Sequence, residues 1–252
     1  MIFRNEVLEE LYSKMIDGLD DEIRKKGLAY FVGMAGKGYG EDLSVRLMLI
    51  GRAVNGWSNE ILSKEEEKPG NTRNTYTGDG NEEFKWVRID SCGGLTAGKN
   101  DDYRLSRSPF WRTAKQVLSE LSGEELPVKW VDDIAWSNLY KVAPRDGGNP
   151  DNKLCAAQIE MCKDILQEEI RELRPTHIFM PVGWSWFCRE DRYDFSECFE
   201  EVAPAEKEGY IEGTAYYRLP DGHRIPVIVA CRPERRPEKE YVRQIADCFR
   251  KM

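Results

Sequence analysis

The sequence predicts an α/β protein, a largely parallel sheet with helices on both faces. Two observations carry this. Apolar runs of strand length alternate with segments of helical periodicity at the spacing of strand–helix–strand units. One pattern also recurs three times: an apolar strand runs straight into a polar loop containing Gly or Pro. The copies are Leu47 to Trp57, Ile134 to Pro144 and Val227 to Arg236. In open α/β sheets the loops beyond the carboxyl ends of the strands build the ligand site, so the polar residues of these three segments are expected to meet in one cleft.

The elements follow in order. From Asn5 to about Lys26, Val7, Leu8, Leu11, Met15, Ile16, Leu19 and Ile23 keep a helical spacing amid charges, predicting an amphipathic N-terminal helix over about 5–26. Val45 to Ile50 reads as a buried strand. A polar stretch rich in Gly, Asn and Asp follows at about 58–103, with Glu65-Glu66-Glu67 and Thr77-Gly78-Asp79-Gly80, and its length marks it as an insertion. Pro109 stands at a helix start before the periodic run Ala114, Val117, Leu118 and Leu121, and Gly123 ends that helix.

A second strand spans about Val131 to Leu139. A long helix then runs from about Asn152 to Leu173, with an apolar stripe of Ala156, Ile159, Cys162, Ile165, Leu166 and Ile170, and Arg174-Pro175 stops it. Thr176 to Gly183 is the next strand, and Trp184 to Phe187 opens a short helix. Pro220-Asp221-Gly222 is a turn between Tyr210–Leu219 and Arg224–Cys231, so a hairpin delivers the last strand. A final helix covers about Pro237 to Lys251.

At 252 residues, with no long linker or internal repeat, the chain reads as a single domain over 1–252. It has no apolar run of membrane-spanning length, and Met1 to Glu6 lacks a signal peptide's charge order, so a soluble, cytoplasmic protein with no membrane partner is expected. Seven cysteines without a Cys-x-x-Cys pair argue against structural zinc and a disulfide framework, and no metal or cofactor is expected. The net charge of −8 opposes indiscriminate binding to polyanions. The charge is unevenly spread: from His223 to Met252 eight basic residues face four acidic ones, so this tail carries +4 and the remainder −12.

Four features in one order resemble the uracil-DNA glycosylase superfamily. They are the Leu-Ile-Gly loop after the first strand, Phe110-Trp111 at the head of the next helix, the segment Ser137-Asn138-Leu139-Tyr140-Lys141-Val142-Ala143-Pro144, and Arg174 to Gly183 before a last strand ending in Cys231-Arg232-Pro233. The resemblance spans about Val45 to Tyr241 and leaves 58–103 unmatched. It implies a three-layer α/β/α domain with a mainly parallel four-stranded central sheet. It further implies a hydrolase of DNA repair that binds DNA, flips a deaminated or damaged base from the stack and cleaves its N-glycosidic bond in base excision.

The resemblance assigns roles residue by residue. Asn138 matches the base-reading Asn, whose amide offers donors and an acceptor to a pyrimidine edge; its alternative is to tie its own backbone at the strand end. The superfamily usually places an acidic residue or an Asn just after the Gly to position the attacking water. Here Gly51 is followed by Arg52 and Ala53, and only Asn55, two positions on, offers that function; Asn55 is equally a turn former before Gly56. The family's leaving-group His is replaced by Arg232, a permanent cation able to stabilise a base anion or hold a phosphate. Phe110, Trp111 and Trp57 are candidates to stack the base. Lys141, Arg235 and Arg236 are candidates for phosphate contacts.

His177 and His223 fall where neither the resemblance nor a triad needs them. Gly33 to Gly38 and Ala97 to Asn100 lack the spacing of a phosphate-binding loop. The partner is therefore DNA or a nucleobase or nucleotide ligand. With the usual acid missing, a catalytically silent binding protein on the same fold is the alternative, and a domain serving only protein contacts is a third reading.

Overall fold

The computed structural model describes residues 5–53, 60–61, 105–127, 129–189, 193–206 and 209–252. The N-terminal helix is two helices, α1 (Glu6–Gly18) and α2 (Asp21–Arg24), because Leu19 turns extended after Gly18 and the Asp20 side chain caps a new helix. Asn5 Oδ1 caps α1 by accepting from the Val7 and Leu8 amides. At the break, the buried Arg24 side chain donates to the carbonyls of Ile16 and Leu19, adding to the bond that the Leu19 amide already makes to Ile16.

The strands are β1 (Leu28–Tyr30), β2 (Met34–Ala35), β3 (Leu47–Gly51), β4 (Glu60–Ile61), β5 (Ile134–Asn138), β6 (Val142–Pro144), β7 (His177–Met180), β8 (Cys188–Arg189), β9 (Tyr193–Asp194), β10 (Glu200–Pro204), β11 (Ile211–Arg218) and β12 (Arg224–Ala230). Between them lie α3 (Pro109–Ser122), α4 (Asn152–Leu173), α5 (Trp184–Phe187) and α6 (Glu238–Phe249). Gly123 closes α3 in the left-handed region with φ +71°, the conformation glycine adopts without a Cβ penalty.

The central sheet has the order β10-β11-β12-β7-β3-β5-β2. Its four inner strands, β12, β7, β3 and β5, are mutually parallel; β2 and β11 run against them, and β10, antiparallel to β11, runs with them at one edge. This corrects the expected sheet: seven strands of mixed direction replace four mainly parallel ones. The Pro220-Asp221-Gly222 turn adds β11 as predicted. The further strand β10 is half-exposed to exposed, begins with two glutamates and ends in Pro204, so it reads as loop. A second sheet, β4-β1-β6, uses Glu60–Ile61 from the stretch read as an insertion; the rest of that stretch lies outside the described residues.

Alternation along β3 divides the core. Met48 and Ile50 face a cluster with Leu8, Tyr12 and Ile16 of α1 and Ile165, Leu166 and Ile170 of α4. Leu47 and Leu49 face the other side, with Trp111, Val117 and Leu118 of α3 and Tyr241, Val242 and Ile245 of α6. Helices thus cover both faces of the sheet, as the apolar four-residue runs of strands buried on both sides require. Among the described residues no helix is long and apolar enough to cross a membrane.

Candidate functional site

The chain passes from β3 to its neighbour β5 on one side, then returns through α4 to β7 on the other side and continues outward to β12. Connections therefore part between β3 and β7, the switch point at which open α/β sheets leave a crevice. An open cleft of about 570 Å³ lies there, lined by Arg52, Gly183, Ser185, Glu212, Cys231, Arg232, Glu234, Arg235 and Arg236. It joins the ends of β3, β7 and β12, so two of the three recurring strand-to-loop segments meet as expected.

Arg52 is half-buried and fixed. Its Nε donates to the Val182 carbonyl at 2.5 Å, and its guanidinium lies 5.0 Å from the Trp186 ring centroid. Burial first, and then the neighbouring Arg232 charge, lower its pKa against the opposing pull of Glu234 and Glu212. Arg232 is half-exposed and clamped by Glu234, with Nε 3.0 Å from Oε2 and Nη2 close on Oε1. Burial pushes the Glu234 carboxyl up, but the Arg232 hydrogen bond and the charges of Arg232 and Arg52 outweigh it, and the net shift is down. Glu212 accepts from the Trp184 amide. Arg235 and Arg236 are exposed, and Arg235 holds φ +63°, a left-handed conformation uncommon for a residue with a Cβ.

The loop behind these arginines is pinned from below. Tyr241 donates to the Cys231 carbonyl at 2.6 Å and the Cys231 amide donates to the Tyr210 carbonyl at 2.9 Å. Burial raises the Cys231 thiol, with Glu212 adding to the shift and Arg236 opposing it. Cys231 therefore enters the cleft as a neutral, weakly polar wall rather than as a thiolate.

Asn138 sits on the other side of β3, paired in register with Gly51, and does not line this cleft. It is 2% exposed, and its Nδ2 has no hydrogen-bond partner among the described residues. A Cβ on Gly51 would overlap Asn138 Oδ1 and lie 3.6 Å from Phe110 Cζ, so glycine is what allows the amide and the ring to share that corner. A buried amide left without a partner costs about 1–3 kcal/mol, a cost that a water or a ligand would relieve. Phe110 is half-buried, with its ring centroid 5.3 Å from that of Trp111.

The other candidates fall elsewhere. Trp111 is 2% exposed and packs edge-to-face on Trp136 at 4.9 Å, so its faces are taken by the core. Lys141, proposed for phosphate contact, is fully buried. Its Nζ reaches Glu169 Oε2 at 2.7 Å, Ser137 Oγ at 2.6 Å and the Asn138 carbonyl at 2.8 Å. Glu169 in turn accepts from Tyr12 Oη at 2.9 Å, from the Gly33 amide at 3.2 Å and from Ser137 Oγ at 2.6 Å. Lys141 thus holds the strand end that carries Asn138 and cannot meet a solvent-borne phosphate. Asn55 and Trp57 lie outside the described residues.

Glu212, Glu234, Gly183 and Ser185 were not expected here. Glu234 stands inside the basic loop that pointed to the site, but Glu212 lies mid-strand in β11 with no local signal. Among the described residues no group of His, Cys, Asp and Glu is placed to hold a metal ion. No protein-family model matches the chain, and no curated protein matches it either.

Proposed function

We propose that this chain is a DNA glycosylase-like hydrolase that takes a deaminated or damaged base at the carboxyl end of its parallel strands and cleaves the N-glycosidic bond. The observation that carries the reading is the buried Asn138 amide, without a partner on Nδ2, beside Gly51 and the half-buried Phe110 ring. In this reading Asn138 reads the base edge and Phe110 stacks on its face. Asn55 positions the water, and Arg232, in the cleft that Asn138 does not line, binds phosphate rather than the departing base. Arg235 and Arg236 hold the flanking phosphates. Water adds its oxygen to the sugar as the base leaves, giving free base and an abasic site.

A second reading is favoured by a specific observation: the two positions after Gly51 hold Arg52, tied to Val182 and Trp186, and the apolar Ala53, packed against the core, where an acid or amide is needed. Without a water-activating group the same surface binds a nucleobase, nucleotide or strand and does not turn it over.

Incubation with end-labelled oligonucleotides carrying uracil, hypoxanthine, xanthine or alkylated bases, followed by alkaline cleavage, separates the two. A cleaved strand with at least one lesion, and a change of base preference in Asn138→Asp, are the results expected. Thermal protection by a base or oligonucleotide with no cleavage of any lesion would establish the binding reading instead.

A further inference from the structure

Four guanidinium groups, those of Arg52, Arg232, Arg235 and Arg236, converge on the cleft against two carboxylates. Both carboxylates are engaged: Glu212 accepts the Trp184 amide, and Glu234 forks onto Arg232. Among the described residues Arg52, Arg235 and Arg236 have no ion-pair partner. The cleft is thus cationic at its floor, where Arg52 is half-buried, and at its rim, where Arg235 and Arg236 are exposed.

We propose that the cleft is a seat for a phosphate group, and that Glu234 is a built-in occupant which the phosphate displaces from Arg232. The inference rests on the reading of this cleft as a nucleic-acid site for the identity of what carries the phosphate, and on the arginines alone for the phosphate itself. A guanidinium fork accepts a carboxylate and a phosphate in the same two-point geometry. Glu234 engages one arginine, whereas a phosphate, with three or more oxygens and greater charge, bridges several. The exchange therefore favours the phosphate. Burial is the main cause that lowers the basicity of Arg52, and the nearby Arg232 cation adds to it. A cleft of about 570 Å³ has room for a phosphate with an attached nucleoside. A free nucleotide and a terminal strand phosphate share this chemistry, whereas an internal phosphodiester, with one charge and two non-bridging oxygens, does not.

The test is calorimetric titration of the full-length protein with inorganic phosphate, at low and high salt. Saturable binding that weakens with salt is expected, together with a gain in affinity of roughly two- to five-fold in Glu234→Gln, the size of a half-exposed ion pair removed from competition. Arg52→Gln and Arg235→Gly should weaken binding. Arg235→Gly keeps the φ +63° backbone, so misfolding does not confound it.

Absence of saturable phosphate binding would overturn the site, and an unchanged or weaker affinity in Glu234→Gln would overturn the displacement. Three further ligands identify the source once phosphate binds: a nucleoside 5′-monophosphate, a 5′-phosphorylated oligonucleotide and its 5′-hydroxyl form. Tightest binding of the first assigns a free nucleotide. A requirement for the 5′-phosphate assigns a strand end, and equal binding of the two oligonucleotides would overturn a monoester phosphate as the strand's contribution. No base takes part in the phosphate titration, so its failure is separable from failure to excise a base.

Discussion

Removing the Lys141 charge tests whether the buried network, rather than apolar packing alone, holds the end of β5. In Lys141→Met, Glu169 keeps its hydrogen bonds from Tyr12, Gly33 and Ser137 but loses its countercharge, in a site where Lys141 and Glu169 are 0% and 2% exposed. Deleting one partner of a buried ion pair costs about 3–5 kcal/mol, and for a domain of this size each kcal/mol lowers Tm by about 2–4 °C, so a fall of about 6–20 °C is expected.

Glu169→Gln strands the Lys141 ammonium and should cost a similar amount. The double variant removes both charges together and leaves an amide able to serve Tyr12 and Ser137. It should be less destabilised than the sum of the singles by more than about 1.5 kcal/mol. Urea unfolding of all four proteins measures this directly. A loss under about 1 kcal/mol in Lys141→Met, or additivity within about 0.5 kcal/mol, would refute the reasoning.

Gly51→Ala places a methyl against Asn138 Oδ1 and should cost about 1–3 kcal/mol by overpacking while abolishing base-dependent thermal protection; retained protection would remove Asn138 from the site. Burial holds the His177 imidazole below its ordinary 6.5, so its neutral form contributes stability that is complete above pH 6.5 and is lost as pH falls below it. A plot of Tm against pH should lose that step in His177→Gln. Arg235→Gly relieves a left-handed arginine and should change stability by no more than about 1 kcal/mol, upward if at all, as read by urea unfolding.

The inner strands were legible because apolar runs such as Leu47–Ile50 and Val227–Ala230 have no polar alternative, and the long helix because its stripe repeats over about four turns before Pro175 stops it. The sheet edges were not: in β10, Glu200 and Glu201 are paired with Arg218 and Arg224, partners that only the fold brings near. Three of the cleft's arginines showed through the basic tail, and Arg52 through the first strand-to-loop segment. Lys141 misled for a physical reason. A lysine beside a polar strand end reads as solvated, and the carboxylate that buries it lies 28 residues away on α4. The break between α1 and α2 was signalled by Gly18 and Asp20, but an apolar periodicity that runs through it concealed it.

One side chain does the work of a neighbouring strand. Gln158 Oε1 accepts from the amides of Lys141 and Val142 at 3.1 and 2.8 Å, and its Nε2 donates to the Val142 carbonyl at 2.8 Å. The backbone leaving the Asn138 corner is therefore laced to the middle of α4 rather than to a loop. Its amides should exchange with solvent no faster than the helix itself opens, which makes that corner one of the slowest-breathing parts of the molecule and holds the Asn138 side chain on a rigid support.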